Sequence, residues 1–386
     1  MRCSFFPCIV VLAGLPLSAT TLEVGDGKPF VRIEAAVAQA KPDDEIVVHP
    51  KNDGTPYCQP ALLIRTAKLT IRTADAKTPV VLDGEGYNYS GIGSVPRAIF
   101  QFNPGADGCT LDGFTLINAR GSSNNGAGVR INEANDITIR NCVIRNNDMG
   151  IMSNGEVAKQ SGARQLIEQC TISDNGTLKD PGYNHNLYLG GTSVTVRNCE
   201  VARSVTGHNV KSRAHQNYII GCRIHDSNNR EFDLVDAVGT TDAPGSDSFL
   251  INNTIVKDPK GAGNRTVIHF GWEGKAVRNG SIWLIGNTIC TPFTSPVVEV
   301  SSGHGAVFID NVIEDGGARQ AGVLVSLKDQ TTKVSGKENK IPERFMMRLP
   351  QGLTLIRLEE PPPLPRNAAA HSSPKRQQGQ ETPSPQ

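Results

Sequence analysis

Thr138-Ile139-Arg140-Asn141-Cys142-Val143-Ile144 is the stretch of sequence that decides the fold. It combines β-branched residues, which favour strands, with a central pair, Asn141-Cys142, whose Asn favours a turn. Similar stretches follow along the chain, first with Cys and later with Asn at the position equivalent to Cys142, the fifth residue of this motif. These copies are Leu166–Ile172, Val194–Val201, Tyr218–Ile224, Leu250–Ile255, Leu284–Ile289 and Phe308–Ile313, with a partial earlier copy at Leu111–Phe114 that places Gly113 opposite Cys142.

The spacing of these copies predicts a parallel β-solenoid with one coil per repeat. The step varies from 23 residues, between Cys199 and Cys222, to 34 residues, between Asn253 and Asn287. Irregular periods in this range, with short strands and Gly- and Asn-rich turns, are typical of β-solenoids. Because neighbouring coils lie about 4.8 Å apart, equivalent residues stack. We therefore expect an inward ladder of reduced thiols that continues as hydrogen-bonded asparagines: Cys142, Cys170, Cys199, Cys222, Asn253, Asn287 and Asn311.

The two ends of the chain differ from the repeats. Residues 1–19 contain a basic residue, a mostly apolar run and small residues before Ala19, which is the pattern of a secretory signal peptide. Residues 20–358 form the predicted β-helix domain, with an amphipathic helix over Phe30–Ala40 as its N-terminal cap. Residues 359–386 are rich in Pro, Ser and Gln and lack apolar periodicity, so we expect a disordered Pro-rich tail.

Composition limits the classes of partner. The 386-residue chain has a formal net charge of +1, which does not indicate binding of nucleic acid. The apolar run in the first 19 residues is too short to cross a bilayer, and no later segment approaches that length. We therefore expect a secreted or periplasmic monomer with neither a nucleic-acid nor a membrane partner.

A second strand in each coil aligns independently of the Cys and Asn ladder. In Asn186–Gly190, Asn209–Arg213 and Glu231–Val235 the second and fourth residues are apolar or small and should face the core. The predicted central outward column is Arg130, Met152, Tyr188, Lys211, Asp233, His269 and Glu299. Its predicted flanks are Asn186, Asn209 and Glu231 on one side and Asn132, Asn154 and Arg213 on the other.

Adjacent coils thereby bring acid–base side chains to one outward surface. The predicted catalytic residues are Lys211, Tyr188, Arg213, Asp233 and His269, a composition that suits proton transfer on a carbohydrate. The alternative is an ordinary ladder of surface ion pairs. His185 and His208 occupy equivalent places before their strands, either as stacked turn residues or as catalytic groups. The predicted substrate-binding residues are Asn186, Asn209, Glu231, His208, His185 and Arg130, and no metal-ligand spacing is present.

The predicted capping helix and irregular coils resemble the right-handed parallel β-helix superfamily, the pectate lyase-like fold of polysaccharide lyases, epimerases and pectin-type hydrolases. The resemblance spans about residues 21–330 and is more specific for the fold than for the reaction. The run Gly207–Ala214, between Tyr188 and Asp233, is similar to a motif of secreted bacterial β-helix repeat proteins. Lys211 and Arg213 also resemble the base and acid of β-helix alginate and chondroitin lyases. Those enzymes act beside a cation, so the resemblance allows for Ca²⁺, and no cofactor is expected to be required.

The resemblance implies an acidic, uronic-acid polysaccharide as substrate, processed by β-elimination or C5-epimerisation. Lys211 or Tyr188 would remove the C5 proton, Arg213 would pair with the substrate carboxylate, and Tyr188 or His269 would return the proton. Asp233 favours the charged form of Lys211 and Arg213 disfavours it to a similar extent, so the sequence leaves the base open.

Two other functions fit the same fold. An inverting hydrolase of pectin type would need separated carboxylates, for which Glu231, Asp233 and Asp236 are available. In that family, however, the Gly-His and Arg-Lys elements lie on separate coils after the acids, whereas Gly207-His208 and Lys211 share one coil before them. A noncatalytic glycan-binding solenoid would bind the same polymer without turnover.

Overall fold

The structure is a computed structural model that describes residues 19–92, 95–179, 184–273, 276–329 and 332–346. Its strands form three parallel sheets, and strand order within each sheet follows the chain. Each coil contributes one strand to each sheet over most of the length. The predicted right-handed parallel β-helix is confirmed.

The bounds of the elements follow the predicted repeat. Sheet A contains twelve strands: Thr21–Val24, Glu45–Val48, Thr70–Thr73, Thr110–Asp112, Thr138–Arg140, Gln165–Glu168, Ser193–Arg197, Gln216–Ile220, Ser248–Ile251, Ser281–Ile285, Gly305–Ile309 and Lys333–Lys337. Sheet B contains ten: Tyr57–Cys58, Val80–Asp83, Phe114–Ile117, Val143–Arg145, Thr171–Ser173, Glu200–Ala202, Arg223–His225, Thr254–Val256, Thr288–Cys290 and Val312–Glu314. Sheet C contains ten: Leu62–Ile64, Ala98–Phe102, Ala127–Asn132, Met149–Asn154, Leu187–Leu189, Val210–Ser212, Phe232–Leu234, Ile268–Phe270, Val298–Val300 and Val325–Leu327.

The central pair of each repeat motif connects sheet A to sheet B. The first residue of the pair adopts a left-handed conformation, as at Asn141 with φ 53° and Gly221 with φ 62°. Asn and Gly tolerate this conformation better than other residues, which explains their recurrence. Register also corrects the partial early copy, because Asp112 pairs with Arg140. Gly113 is therefore equivalent to Asn141, and the ladder position in that coil belongs to the next residue.

The second residue of the pair forms the predicted inward ladder. All four cysteines are buried and free. Asn253 donates a hydrogen bond from Nδ2 to Oδ1 of Asn287 at 2.9 Å, and Asn287 donates in the same way to Asn311 at 3.0 Å. Asn339 extends the ladder by one coil, since its Oδ1 accepts a bond from Asn311 at 2.9 Å. The ladder is confirmed, and its hydrogen bonds fix the register between coils.

Short helices lie near both ends of the described coils. The helix Ile33–Gln39 buries Ile33 against the core, and the helix Glu343–Met346 buries Phe345 there. A single 3₁₀ turn, Val157–Lys159, lies between them. The capping role of the first helix stays a prediction. No helix in the described ranges is long and apolar enough to cross a membrane. The predicted signal peptide, except Ala19, and the predicted tail lie outside the described residues.

Candidate functional site

The outward column of sheet C has the predicted order. Tyr188 pairs in register with Lys211, Lys211 with Asp233, and Asp233 with His269. The column continues to Arg130 and Met152 on one side and to Glu299 on the other. Since neighbouring strands lie about 4.8 Å apart, these side chains share one surface. We call the surface formed by Tyr188, Lys211, Arg213, Asp233 and Glu273 the central site.

Asp233 is the electrostatic hub of the central site. Its Oδ1 accepts hydrogen bonds from Arg230 Nη1 at 3.0 Å and His269 Nδ1 at 2.9 Å. Its Oδ2 lies 3.2 Å from His208 Nε2 and 3.4 Å from Lys211 Nζ. Burial raises the pKa of Asp233, but the bonds from the two histidines and the charge of Lys211 outweigh burial and hold that pKa well below its usual range. Asp233 is therefore an ionised anchor and not a proton donor.

Two stacked histidines orient this anchor. The rings of His185 and His208 lie 5.1 Å apart and nearly parallel, at 6°. His208 Nδ1 accepts the backbone N–H of Arg230 at 3.2 Å, so its ring proton lies on Nε2 and points to Asp233. His185 Nδ1 likewise accepts the backbone N–H of His208 at 2.9 Å. Burial lowers the pKa of both rings. Both residues are stacked neutral turn residues, which decides between the two alternatives left by the sequence.

His269 is a supporting residue in this arrangement. It is buried, and its second nitrogen, Nε2, lies 3.1 Å from Ser301 Oγ. Both ring nitrogens are therefore occupied by neighbours within the protein. This geometry does not favour the predicted role of His269 in returning a proton to substrate, and we assign it to the positioning of Asp233.

Glu273 completes the central site from a loop after the strand Ile268–Phe270. Its Oε1 lies 3.1 Å from Lys211 Nζ, and its Oε2 lies 2.7 Å from Arg213 Nη2. The preceding residue, Trp272, has a positive φ of 43° and donates its backbone N–H to buried Asp236 at 2.6 Å. A carboxylate thus bridges Lys211 and Arg213.

Tyr188 lies beside the two cations. The Arg213 guanidinium carbon is 5.3 Å from the centre of the Tyr188 ring, and Lys211 Nζ is 5.9 Å from it. Burial lowers the pKa of Arg213, and its interactions with Tyr188 and Glu273 more than offset burial, so this pKa lies above its usual value. The phenol therefore lies next to a permanent positive charge.

Three predicted substrate-binding residues lie inside the coil, and the prediction that they face outward is wrong. Asn186, Asn209 and Glu231 are each 0% exposed. Asn186 Nδ2 donates to Asn209 Oδ1 at 2.8 Å, and Asn209 Nδ2 donates to Glu231 Oε2 at 2.6 Å. Glu231 Oε1 lies 3.7 Å from the buried Lys257 Nζ. The three side chains form a second internal ladder below the central site, and they have no surface to offer a substrate.

Burial also makes the three carboxylates predicted for a pectin-type hydrolase inaccessible to a substrate. Glu231 is enclosed, and Asp233 is surrounded by four cationic or imidazole partners. Asp236 is also buried, 3.5 Å from Arg278 Nε, and accepts the Ser302 hydroxyl at 2.6 Å. These acids do not face one open cleft, so the geometry does not support inverting hydrolysis by Glu231, Asp233 and Asp236.

Two adjoining cavities run along sheet C beside the central site. One, of about 270 Å³, has Tyr188, Arg213, Met152, Asn154 and Arg130 among its lining residues. The other, of about 230 Å³, lies toward the N-terminal coils and also includes Arg130 and Asn132. Arg130 therefore lines both cavities, and its role in substrate binding stays a prediction.

The buried carboxyl group of Glu231 makes the unfolding free energy depend on pH, and this dependence can be measured. Burial raises its pKa to about 7 from an ordinary 4.5, against opposing effects of Lys257 and Asn209. The folded state then binds this proton more tightly than the unfolded chain. The stability that protonation adds is fully present below about pH 4.5 and is lost as pH rises through about 7.

We therefore expect the unfolding free energy of the wild type to fall relative to Glu231→Gln between these pH values. The difference should be at most about 3 kcal/mol, since one pKa unit corresponds to about 1.4 kcal/mol. Urea unfolding of both proteins across this pH range measures it. Parallel pH profiles would contradict the assignment.

Sequence reasoning missed Glu273 of the central site and also Arg230, which binds Asp233 there. Arg230 is in register with His208 and His185 at the start of successive strands, so extending the histidine column by one coil would have found it. Glu273 belongs to a loop outside every repeated column, and no sequence signal marked it.

No protein-family model matches the chain, and no curated protein has significant sequence similarity to it. Its backbone is similar to that of an alginate lyase from Paenibacillus sp., with a TM-score of 0.51 and 16% identity over 83% of this chain and 99% of the lyase chain. Pectate lyase Pel9A aligns with a TM-score of 0.48 and 14% identity over 83% of this chain and 79% of its own. Pectin methylesterase PemA from Erwinia chrysanthemi aligns with a TM-score of 0.43 and 11% identity over 82% and 94%. At 16% identity, the likeness to the alginate lyase establishes the fold alone.

Proposed function

We propose that this protein is a carbohydrate-active enzyme that removes the C5 proton of a uronic-acid residue in an acidic polysaccharide, as a lyase or a C5-epimerase. The observation that carries the proposal is the Glu273 carboxylate bound by Lys211 and Arg213 beside the phenol of Tyr188. The backbone likeness to an alginate lyase supports the same class of substrate.

Glu273 marks the place where a substrate carboxylate would bind. Its two oxygens are held by one ammonium and one guanidinium, the pair of groups that would neutralise a uronate and stabilise the charge that develops when C5 is deprotonated. In the proposed complex the substrate carboxylate replaces Glu273 on these two cations. Asp233 holds Lys211 from the opposite side.

We assign the base to Tyr188. Lys211 forms ion pairs with both Asp233 and Glu273, so it acts as a cation in this geometry. The phenol lines the cavity and lies beside the Arg213 guanidinium. In the elimination, the C5 proton passes to the phenolate oxygen, the C5–H electrons form the C4–C5 double bond, and the C4–O bond breaks. The tyrosine proton then passes to the departing oxygen. In epimerisation the C4–O bond stays intact, the other face of C5 takes a proton from water, and Tyr188 releases its proton to solvent.

The described residues do not fit a calcium site at this surface. Asp233, Glu273 and Glu299 each lie near lysine, arginine or histidine side chains. Within the described ranges, no group of three or more His, Cys, Asp or Glu is arranged to hold a metal ion. We derive no step through a cation. Export to the periplasm or medium and a monomeric state remain part of the proposal.

Incubation with a panel of uronic-acid polymers tests the proposal. A lyase produces the ultraviolet absorbance of an unsaturated uronate, and a C5-epimerase incorporates solvent deuterium at C5 without shortening the chain. New reducing ends without absorbance would indicate hydrolysis and overturn the proposal. Retention of the polymer with none of these changes would indicate a glycan-binding solenoid.

Glu273→Gln is expected to strengthen substrate binding. The neutral amide competes less well than a carboxylate for Lys211 and Arg213, so the substrate carboxylate displaces it more easily. We expect the Kd for a uronate oligomer to fall by roughly tenfold, since a charge-assisted bond contributes about 1.5 to 3 kcal/mol. Calorimetric titration measures this change. Weaker binding by Glu273→Gln would show that Glu273 contacts the substrate directly and does not stand in its place.

A further inference from the structure

We infer that the cavity lined by Arg65, Arg97 and Arg130 is a second anion-binding site, which takes a carboxylate or sulfate group of the same acidic chain that occupies the central site. The inference rests on the proposed function only in taking an acidic polymer as the ligand. We call this cavity the arginine site. It has a volume of about 230 Å³, and its other lining residues are uncharged: Leu63, Gly91, Val95, Gln101, Asn103 and Asn132.

Arginines elsewhere in this solenoid are commonly paired with acids. Six of them form an ion pair of 2.5 to 3.2 Å with a carboxylate on a neighbouring coil. These pairs are Arg72–Glu45, Arg120–Asp148, Arg140–Asp112, Arg164–Asp136, Arg197–Glu168 and Arg203–Asp174. The same stacking that aligns the coils therefore supplies a counterion to each of these six arginines.

The arginine site departs from this arrangement. Among the described residues no carboxylate forms an ion pair with Arg97 or Arg130, although both side chains are half-buried. Arg130 Nε donates to Asn132 Oδ1 at 2.9 Å, and its Nη1 contacts Met152 Sδ at 3.2 Å. Burial, with a further contribution from Arg97, lowers the pKa of Arg130 to about 10. Two partly desolvated guanidinium groups without a counterion are costly, and a bound anion would remove that cost.

Neighbouring amide side chains and a glycine fix the positions of Arg97 and Arg130. Asn103 is 8% exposed, and its Oδ1 accepts bonds from Gln101 Nε2 at 3.1 Å and Asn132 Nδ2 at 2.8 Å. These amides hold one another in place and leave the guanidinium groups to face the cavity. Gly91 lies against the Arg97 side chain, since a Cβ on Gly91 would clash with Arg97 Nε. A side chain at Gly91 would displace Arg97.

The position of the arginine site suits an extended polymer. Arg130 lines both this cavity and the one at Tyr188 and Arg213, so the two cavities form one track along sheet C. Arg130 and Lys211 stand three strands apart in the outward column. This separation is about 14 Å at a strand spacing of about 4.8 Å. A single sugar carboxylate cannot reach both sites, whereas one chain with repeated acidic groups can.

Calorimetric titration of the full chain with hexamers tests the inference. The ligands are a uronate hexamer, a sulfated neutral hexamer and an uncharged hexamer. We expect Arg97→Gln to weaken binding of an anionic hexamer by about tenfold. Arg65→Gln, which changes the exposed arginine of the same site, should also weaken this binding. Comparing the Kd of the uronate hexamer with that of the sulfated hexamer identifies which anion the site prefers. Arg145→Gln, an exposed arginine on sheet B, is the matched control and should bind as the wild type does.

Several outcomes overturn the inference: wild-type affinity in Arg97→Gln, an equal loss for the uncharged hexamer, or no binding of either anionic hexamer by the wild type. Turnover measured in parallel separates this inference from the proposed function. If no uronic-acid polymer is turned over but Arg97→Gln still loses anionic binding, the arginine site stands and the enzyme proposal fails. If turnover occurs and Arg97→Gln retains the wild-type KM and Kd, the arginine site fails alone. We expect Arg97→Gln to raise KM and leave kcat unchanged.

Discussion

Tyr188→Phe is expected to reduce turnover of the uronic-acid substrate by about a hundredfold to ten-thousandfold, the range typical of losing a positioned general base or acid. The ring remains to contact Arg213 and Lys211, so binding should be nearly unchanged. The expected result is therefore a loss in kcat with an unaltered Kd for the substrate. Initial rates and calorimetric titration measure the two quantities separately.

Tyr218→Phe is the matched control for this variant. Tyr218 lies on sheet A and stacks on Phe249 at 5.3 Å, away from the outward column of sheet C. It should retain wild-type turnover. Full turnover by Tyr188→Phe would instead assign proton abstraction to another group. Lys211→Ala, which removes a carboxylate-binding cation, would then be the first variant to compare.

Asp233→Asn is expected to remove turnover and to destabilise the protein by about 3 to 5 kcal/mol, as in other cases where one partner of a buried charge pair is lost. The amide cannot neutralise Lys211 and Arg230, and it cannot accept every bond that the carboxylate accepts. Lys211 and Arg230 would then no longer be held in their present geometry. Urea unfolding and initial rates measure the two effects.

The difference in unfolding free energy between the wild type and Asp233→Asn should depend on pH in a definite direction. The pKa of Asp233 is depressed in the folded state, so its contribution to stability is present above the unfolded pKa of about 3.9 and is lost as pH falls toward the folded value. The stability gap between wild type and Asp233→Asn should thus narrow below about pH 4. Asp174→Asn is the control, because Asp174 forms a more exposed pair with Arg203 and should change stability by less than about 1 kcal/mol. A pH-independent gap would contradict the role of Asp233 as the ionised hub.

The sequence predicted the fold and the outward column for the same physical reason. Side chains alternate along a strand, and stacking places equivalent residues on adjacent coils, so the order from Tyr188 through Lys211 to Asp233 follows from alignment alone. The prediction that Asn186, Asn209 and Glu231 face outward was wrong for a physical reason that can be stated. A polar residue is ordinarily expected at the surface, but stacked amides satisfy one another inside a coil. The Asn253 ladder, which was predicted, follows the same rule.

Contacts supplied by loops and by the ends of strands could not be predicted in this way. Glu273 reaches the central site from a turn whose backbone is held by Asp236, and that arrangement depends on tertiary structure. The link from His208 to Asp233 likewise depends on which ring nitrogen carries the proton, and the backbone N–H of Arg230 decides this. The alternation of residues along a strand predicts neither the position of Glu273 nor the tautomer of His208.

The thiol ladder has a consequence for how the chain must mature. Cys142, Cys170, Cys199 and Cys222 stand on consecutive coils as free, enclosed sulfhydryls, so the native protein keeps four oxidisable groups shielded from solvent. Before folding, the same groups are accessible, and an oxidising compartment would favour crosslinks between segments 23 to 80 residues apart. Such links would trap coils in the wrong order. In an oxidising compartment, correct assembly therefore requires the coils to close before oxidation reaches their sulfur atoms.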